Sequence, residues 1–270
     1  MLGKLIQFDF KSSYREFCAI MGAILLAAGM LCLLPLLQNT SLHFLLFLVP
    51  LAIVVLFVAS GILLFLGIFN LYHKRIYTNE GHLTMALPVQ SWQVLLSKLI
   101  VTMVWNVAVS AVAIAAFGGC FTYFIIYSGQ ATVFQEAWEV LRWVLTETPL
   151  LYVFLLLILV QTVSTILTLY CSTSIAYLRP LRRFKILSGI GAFYLINLLE
   201  TVIMGCGILA FVTSVPEEQM LDIFRNLDSA KLMMAGVSGY LLALAALLAV
   251  YAVAKFFITN YLLRRHLELE

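Results

Sequence analysis

The sequence predicts an all-α polytopic membrane protein with six transmembrane helices and short amphipathic helices at the membrane surfaces. Two observations carry that reading. The 270-residue chain is 63% hydrophobic and only 11% charged, with a mean hydropathy of +1.05, where a soluble domain would be about 25% charged. The apolar residues also gather into six runs, each long enough to exceed the roughly 18–20 residues a bilayer crossing needs. Hydrocarbon offers no partner to a backbone amide or carbonyl, so each run should be helical. A β-barrel would instead show alternating strands of about ten residues, and no such pattern occurs.

In chain order, residues 1–16 mix Leu2, Leu5, Ile6, Phe8 and Phe10 with Lys4, Asp9 and Lys11. That composition suits a cytoplasmic interface segment, either a short amphipathic helix or a basic topogenic tail. The runs follow at about 17–37, 44–70, 99–127, 150–177, 186–213 and 232–259. The first is too long for a signal-peptide core of about 7–15 residues, so it should persist in the mature chain. Segment 128–148 repeats Phe134, Trp138, Leu141 and Leu145 at helical spacing, opposite Gln135, Glu136, Glu139 and Arg142. Segment 214–231 opens Ser214-Val215-Pro216-Glu217-Glu218, the chemistry of a helix start. Both read as extracytoplasmic helices that cap the bundle or line an exit path. The whole of 1–270 reads as one transmembrane domain, in two triplets of helices without a convincing internal repeat.

Charge orients the spans. With the N-terminus in the cytoplasm, thirteen of the sixteen Lys and Arg fall inside, including Lys74, Arg75, Lys98, Arg179, Arg182, Arg183, Lys185, Lys255, Arg264 and Arg265. Arg142, Arg225 and Lys231 alone fall outside. Both termini are therefore expected in the cytoplasm. The cluster from Arg179 to Lys185 either contacts anionic headgroups or simply enforces topology. The net charge of +3 reflects sidedness rather than nucleic-acid binding. All five cysteines (Cys18, Cys32, Cys120, Cys171, Cys206) lie in apolar runs and read as small packing residues. The four histidines form no metal-ligand spacing.

The polar stretch 71–98 is the most patterned part of the chain. Gly81 permits a turn, Leu83 and Leu87 stand one helical turn apart, Pro88 restricts the backbone, and a new helix opens near Trp92. A tether between spans needs no such punctuation. Glu80, Gly81, Leu83, Leu87, Pro88, Val89, Leu95, Leu96 and Lys98 together resemble the cytoplasmic loop of type 2 ATP-binding-cassette (ABC) exporter permeases. The six-span layout with inward termini is similar as well.

That resemblance implies a coupling helix, with Glu80, Gly81, Leu83, Leu87 and Pro88 fitting a groove on an ABC ATPase subunit. It implies no catalysis in this chain, and ATP and Mg on the partner. Consistent with this, the sequence holds no Gly-x-x-x-x-Gly-Lys-Ser/Thr loop for nucleotide phosphates. A second permease copy or a sister permease would complete the pathway, surrounded by membrane lipids. The implied cargo is a peptide (an antimicrobial peptide among them), a lipid or a hydrophobic small molecule. The other reading of the loop is an amphipathic elbow at the inner leaflet with no partner.

Polar residues inside the spans are the remaining candidates. Glu200 lies deep in the fifth run beside Asn197. A lone ionised side chain there costs roughly 2.5–3.5 kcal/mol, so Glu200 should face the bundle interior, a dimer seam or a watery cavity, and protonation would relieve it. Gln161, Thr165, Thr168 and Ser172 share one face of the fourth run, and Asn106 lies in the third. Each is a pathway residue or a hydrogen-bonded packing residue. The spans hold no paired carboxylates, histidine or Gly-x-Ser-x-Gly to suggest an intramembrane hydrolase. A proton-coupled secondary transporter or channel, with Glu200 carrying the proton, is the alternative to ATP-driven export.

Overall fold

The computed structural model describes residues 2–37, 43–77, 90–127, 138–139, 142, 150–178, 184–214 and 227–265. Six long helices account for almost all of them: α1 (Leu2–Leu37), α2 (His43–Ile76), α3 (Ser91–Tyr127), α4 (Leu150–Ala176), α5 (Lys185–Ser214) and α6 (Leu227–Arg265). Each contains a stretch long and apolar enough to cross a membrane, and no strand occurs among the described residues. The chain is a six-span, all-α, multi-pass membrane protein. It divides into two compact units, Met1–Glu139 and Val140–Glu270.

In the first unit α1 is the central helix, packed on both α2 and α3. Gly67 of α2 lets the Phe17 ring approach to 3.6 Å from where a Cβ would sit. Against α3 the contacts climb in step. Asp9 meets Ser97, Ser13 meets Trp105, Ala28 meets Cys120 and Cys32 meets Cys120, at sequence separations of 88 to 92. A constant offset means that α1 and α3 run in the same direction, side by side, for about 34 Å. The Trp105 ring stacks on Phe10 and Phe17 at 4.6 and 5.1 Å, with planes tilted by 9° and 4°.

The second unit has the same order of contacts. Its first helix, α4, is central and packs on α5 and α6. The α4–α5 pair is antiparallel, with Ser164 opposite Glu200 and Ala176 opposite Gly189. Along α5 and α6, Ile196 meets Tyr251 and Gly207 meets Leu244, again antiparallel. It follows that α4 and α6 are parallel. Many exposed positions along the helices are large and apolar, as at Val54, Phe57, Leu195, Leu198 and Val250, as suits a lipid surround.

Two expectations need revision. Residues 2–16 are not a separate interface helix: they are the first turns of one continuous 36-residue helix. Neither proline nor glycine interrupts it between Lys4 and Cys18, and Asp9 and Ser13 are buried. Lys255 is not one of the free charges counted for topology: it is buried inside α6, about 15 Å from Arg265 along the axis. Of segment 128–148 only Trp138, Glu139 and Arg142 are described, each helical. Residues 227–231 of segment 214–231 are the start of α6.

A Cβ on Gly207 would stand 2.9 Å from Leu244 Cδ1 and 3.0 Å from Tyr240 Oη, whereas one on Gly205 would meet nothing within 4 Å. Gly207→Leu should therefore push α5 off α6 and cost about 1–3 kcal/mol. Gly205→Leu should leave thermal unfolding in detergent unchanged.

Candidate functional site

Two clusters of buried charge stand out, one in each unit. In the second unit, the helical spacing of Gln161, Ser164 and Thr168 puts their side chains on the face of α4 toward α5 and α6. Glu200 enters from α5 and Lys255 from α6. Lys255 Nζ lies 2.6 Å from Glu200 Oε2, and the two residues are only 2% and 4% exposed. Ser164 stands about 18 Å from the Ala176 end of α4, so the pair sits in mid-span.

The hydrogen bonds around this pair close with both groups charged. Lys255 Nζ donates to Ser164 Oγ and Thr168 Oγ1 at 2.7 Å each, to Glu200 Oε2, and more distantly to the Ser164 carbonyl at 3.3 Å. Glu200 Oε1 accepts from Ser164 Oγ and Gln161 Nε2, both at 2.9 Å. Each hydroxyl has one proton. Ser164 uses its own on Glu200, Thr168 uses its own on the Ser164 carbonyl at 2.9 Å, and both then offer lone pairs to the ammonium. The Tyr251 ring, one turn before Lys255, lies 4.3 Å from Nζ. Glu200 thus stands opposite a buried lysine that the sequence reading had not paired with it. One acceptor, Gln161 Oε1, is buried beside the pair with no hydrogen-bond partner among the described residues.

In the first unit, Lys98 Nζ lies 3.5 Å from Asp9 Oδ1, with side chains 1% and 3% exposed. Ser97 Oγ donates to Asp9 Oδ2 at 2.8 Å. Ser13 Oγ donates to the Asp9 carbonyl at 2.8 Å and accepts from Trp105 Nε1 at 3.0 Å. Lys98 is the last residue of the loop pattern, and α3 begins at Ser91, close to the expected start. The chain emerging from that loop is thus fastened to α1 within its first turns.

The other candidates divide. Gln161 joins the mid-span cluster, but Thr165 is exposed and donates only to the Gln161 carbonyl at 2.9 Å. Asn197 donates to the Phe193 carbonyl at 3.0 Å, on its own helix. Ser172 likewise bonds back to Leu169 at 3.0 Å. Asn106 is half-buried on α3, in the other unit. Glu80, Gly81, Leu83, Leu87 and Pro88 lie outside the described residues. Sequence reasoning missed Lys255 and Ser164. The signal for Lys255 was available: a lysine within an apolar run should have been paired with the carboxylate of the preceding run. Among the described residues no group of three or more His, Cys, Asp or Glu could hold a metal ion. No family model, curated protein or solved structure matches this chain.

Removing one member of a buried pair leaves the other uncompensated, at a cost of about 3–5 kcal/mol. Lys255→Met alone should lower the unfolding temperature in detergent sharply, while Lys255→Met with Glu200→Leu should recover most of the loss. A double variant as unstable as the two single losses combined would show that the charges act independently.

Proposed function

We propose that this chain is the permease subunit of an ATP-driven ABC exporter in the plasma membrane, of bacterial type, with both termini in the cytoplasm. It works with separate ABC ATPase subunits that hold ATP and Mg, and with a second permease copy or a sister permease. The cargo class is a peptide, lipid or hydrophobic small molecule moving outward. The observation that carries the reading is the burial of Lys98 on Asp9. A loop that only joined two spans would have no need to be tied at its base to a third helix.

The proposed mechanics follow from that tie. ATP-driven closure of the ATPases pushes on residues 80–88, and the push enters α3 at Ser91. Because α3 is joined to α1 through Asp9, Ser13 and Trp105, the two helices move as one rod rather than sliding past each other. Leu83 and Leu87 supply the apolar grip, one turn apart, and Gly81 and Pro88 bound it. In the second unit the Glu200–Lys255 pair holds α5 and α6 to α4 while the protein changes state.

Co-purification tests the docking. Tagged wild-type protein from native membranes should bring down Mg-dependent ATPase activity, and Leu87→Asp should reduce that activity at least tenfold at equal permease yield. Equal activity in both preparations would remove the docking role. A buried Glu–Lys pair with an open acceptor beside it favours one second reading, proton-coupled transport. Proteoliposomes with an imposed pH gradient and no nucleotide should show no proton entry under the export reading. Entry that Glu200→Gln abolishes would replace it.

A further inference from the structure

At the far end of the α1–α3 seam from Asp9, Cys32 and Cys120 bring their sulfurs to 3.0 Å. Cys120 Sγ also donates to the Ala28 carbonyl at 3.0 Å, which holds its side chain against α1. Both cysteines are half-exposed, in the last turns of α1 and α3. Nothing in the transport reading uses them. Yet two thiols in contact on adjacent helices are more than packing residues, since closure to a disulfide of about 2.05 Å needs an approach of only about 1 Å.

We infer that Cys32 and Cys120 form a redox modification site, closed to a disulfide by thiol–disulfide exchange with a disulfide-bearing oxidant. The thiolate of one cysteine attacks a sulfur of the oxidant, giving a mixed disulfide and releasing one reduced thiol. The second cysteine then attacks the first, forming the Cys32–Cys120 bond and releasing the second reduced thiol. Two protein thiols become one disulfide, and the two protons and two electrons leave on the reduced oxidant. The seam makes the second step fast, because the constant α1–α3 register holds the partners in place before any oxidant arrives. Both thiols lie on half-exposed positions of apolar helices, so a lipid-soluble disulfide is the suitable reagent. The other three cysteines do not share this geometry: Cys18 and Cys206 are exposed on α1 and α5, and Cys171 is buried in α4.

The test uses the full-length protein in native membranes, treated with dipyridyl disulfide and then with an alkylating maleimide under denaturing conditions. Peptide mass spectrometry should show an intramolecular Cys32–Cys120 cross-link, with both residues protected from alkylation until a reductant is added. Cys32→Ser and Cys120→Ser, compared by monodispersity in detergent to confirm folding, should each leave the remaining partner as a thiopyridyl mixed disulfide, seen as an adduct mass with no cross-link. The oxidised wild type should unfold at a higher temperature than the reduced protein, and the serine variants should show no such shift. Persistent alkylation of both cysteines in the treated wild type, two thiopyridyl adducts without a cross-link, or capture mainly by other cysteines or a second chain, would overturn the assignment. The outcome is independent of whether the chain couples to an ATPase.

Discussion

A charge carried into hydrocarbon must bring its counter-charge and its hydrogen bonds with it. That constraint organises both halves of this molecule. Lys255 is not merely near Glu200; Ser164 and Thr168 turn their lone pairs to it and their protons elsewhere. Asp9 likewise brings Lys98 as its counter-charge and accepts from Ser97 at its carboxylate and from Ser13 at its carbonyl. Such pairs add little net stability compared with a well-packed apolar core. Their contribution is specificity, because each fixes which helix lies against which, and at what height, in a medium that gives apolar faces no reason to choose one another.

The two units meet this requirement with the same construction. In each, the first helix is central and the third runs beside it in the same direction. Each third helix supplies the lysine. The carboxylate comes from the first helix in one unit and from the second in the other. Small residues then set how closely the remaining faces approach, as at Gly67 under Phe17 and Gly207 under Leu244.

Much of this was legible beforehand, and the reasons are physical. Spans announce themselves because hydrocarbon demands long unbroken apolar helices. Glu200 was conspicuous because nothing else acidic stood so deep in a run, and it is buried against Ser164 of α4 and Lys255 of α6. What the pattern of a single span cannot reveal is its neighbour. The Thr165–Thr168 pair shows this: the two are adjacent on one face by spacing, yet Thr168 grips the ammonium and Thr165 points away. Lys255 was counted with the charges that set topology because it sits toward the C-terminal end of its run, and only the packing of α6 on α4 reveals its partners. The contact of Cys32 with Cys120 was hidden for the same reason. Continuity of α1 through Asp9 was obscured by the polar residues of its first turns, which read as amphipathic until α3 supplied the missing face.

Parallel pairing of first and third helices also bears on how the protein is made. Asp9 leaves the ribosome long before Lys98 exists, and Ser164 and Glu200 before Lys255. Each unit therefore spends part of its synthesis with an acidic group waiting, and the helix made last is the one that neutralises it. Assembly is thereby given a direction: a half-built unit is electrostatically incomplete, and the arrival of its final span is what seals it.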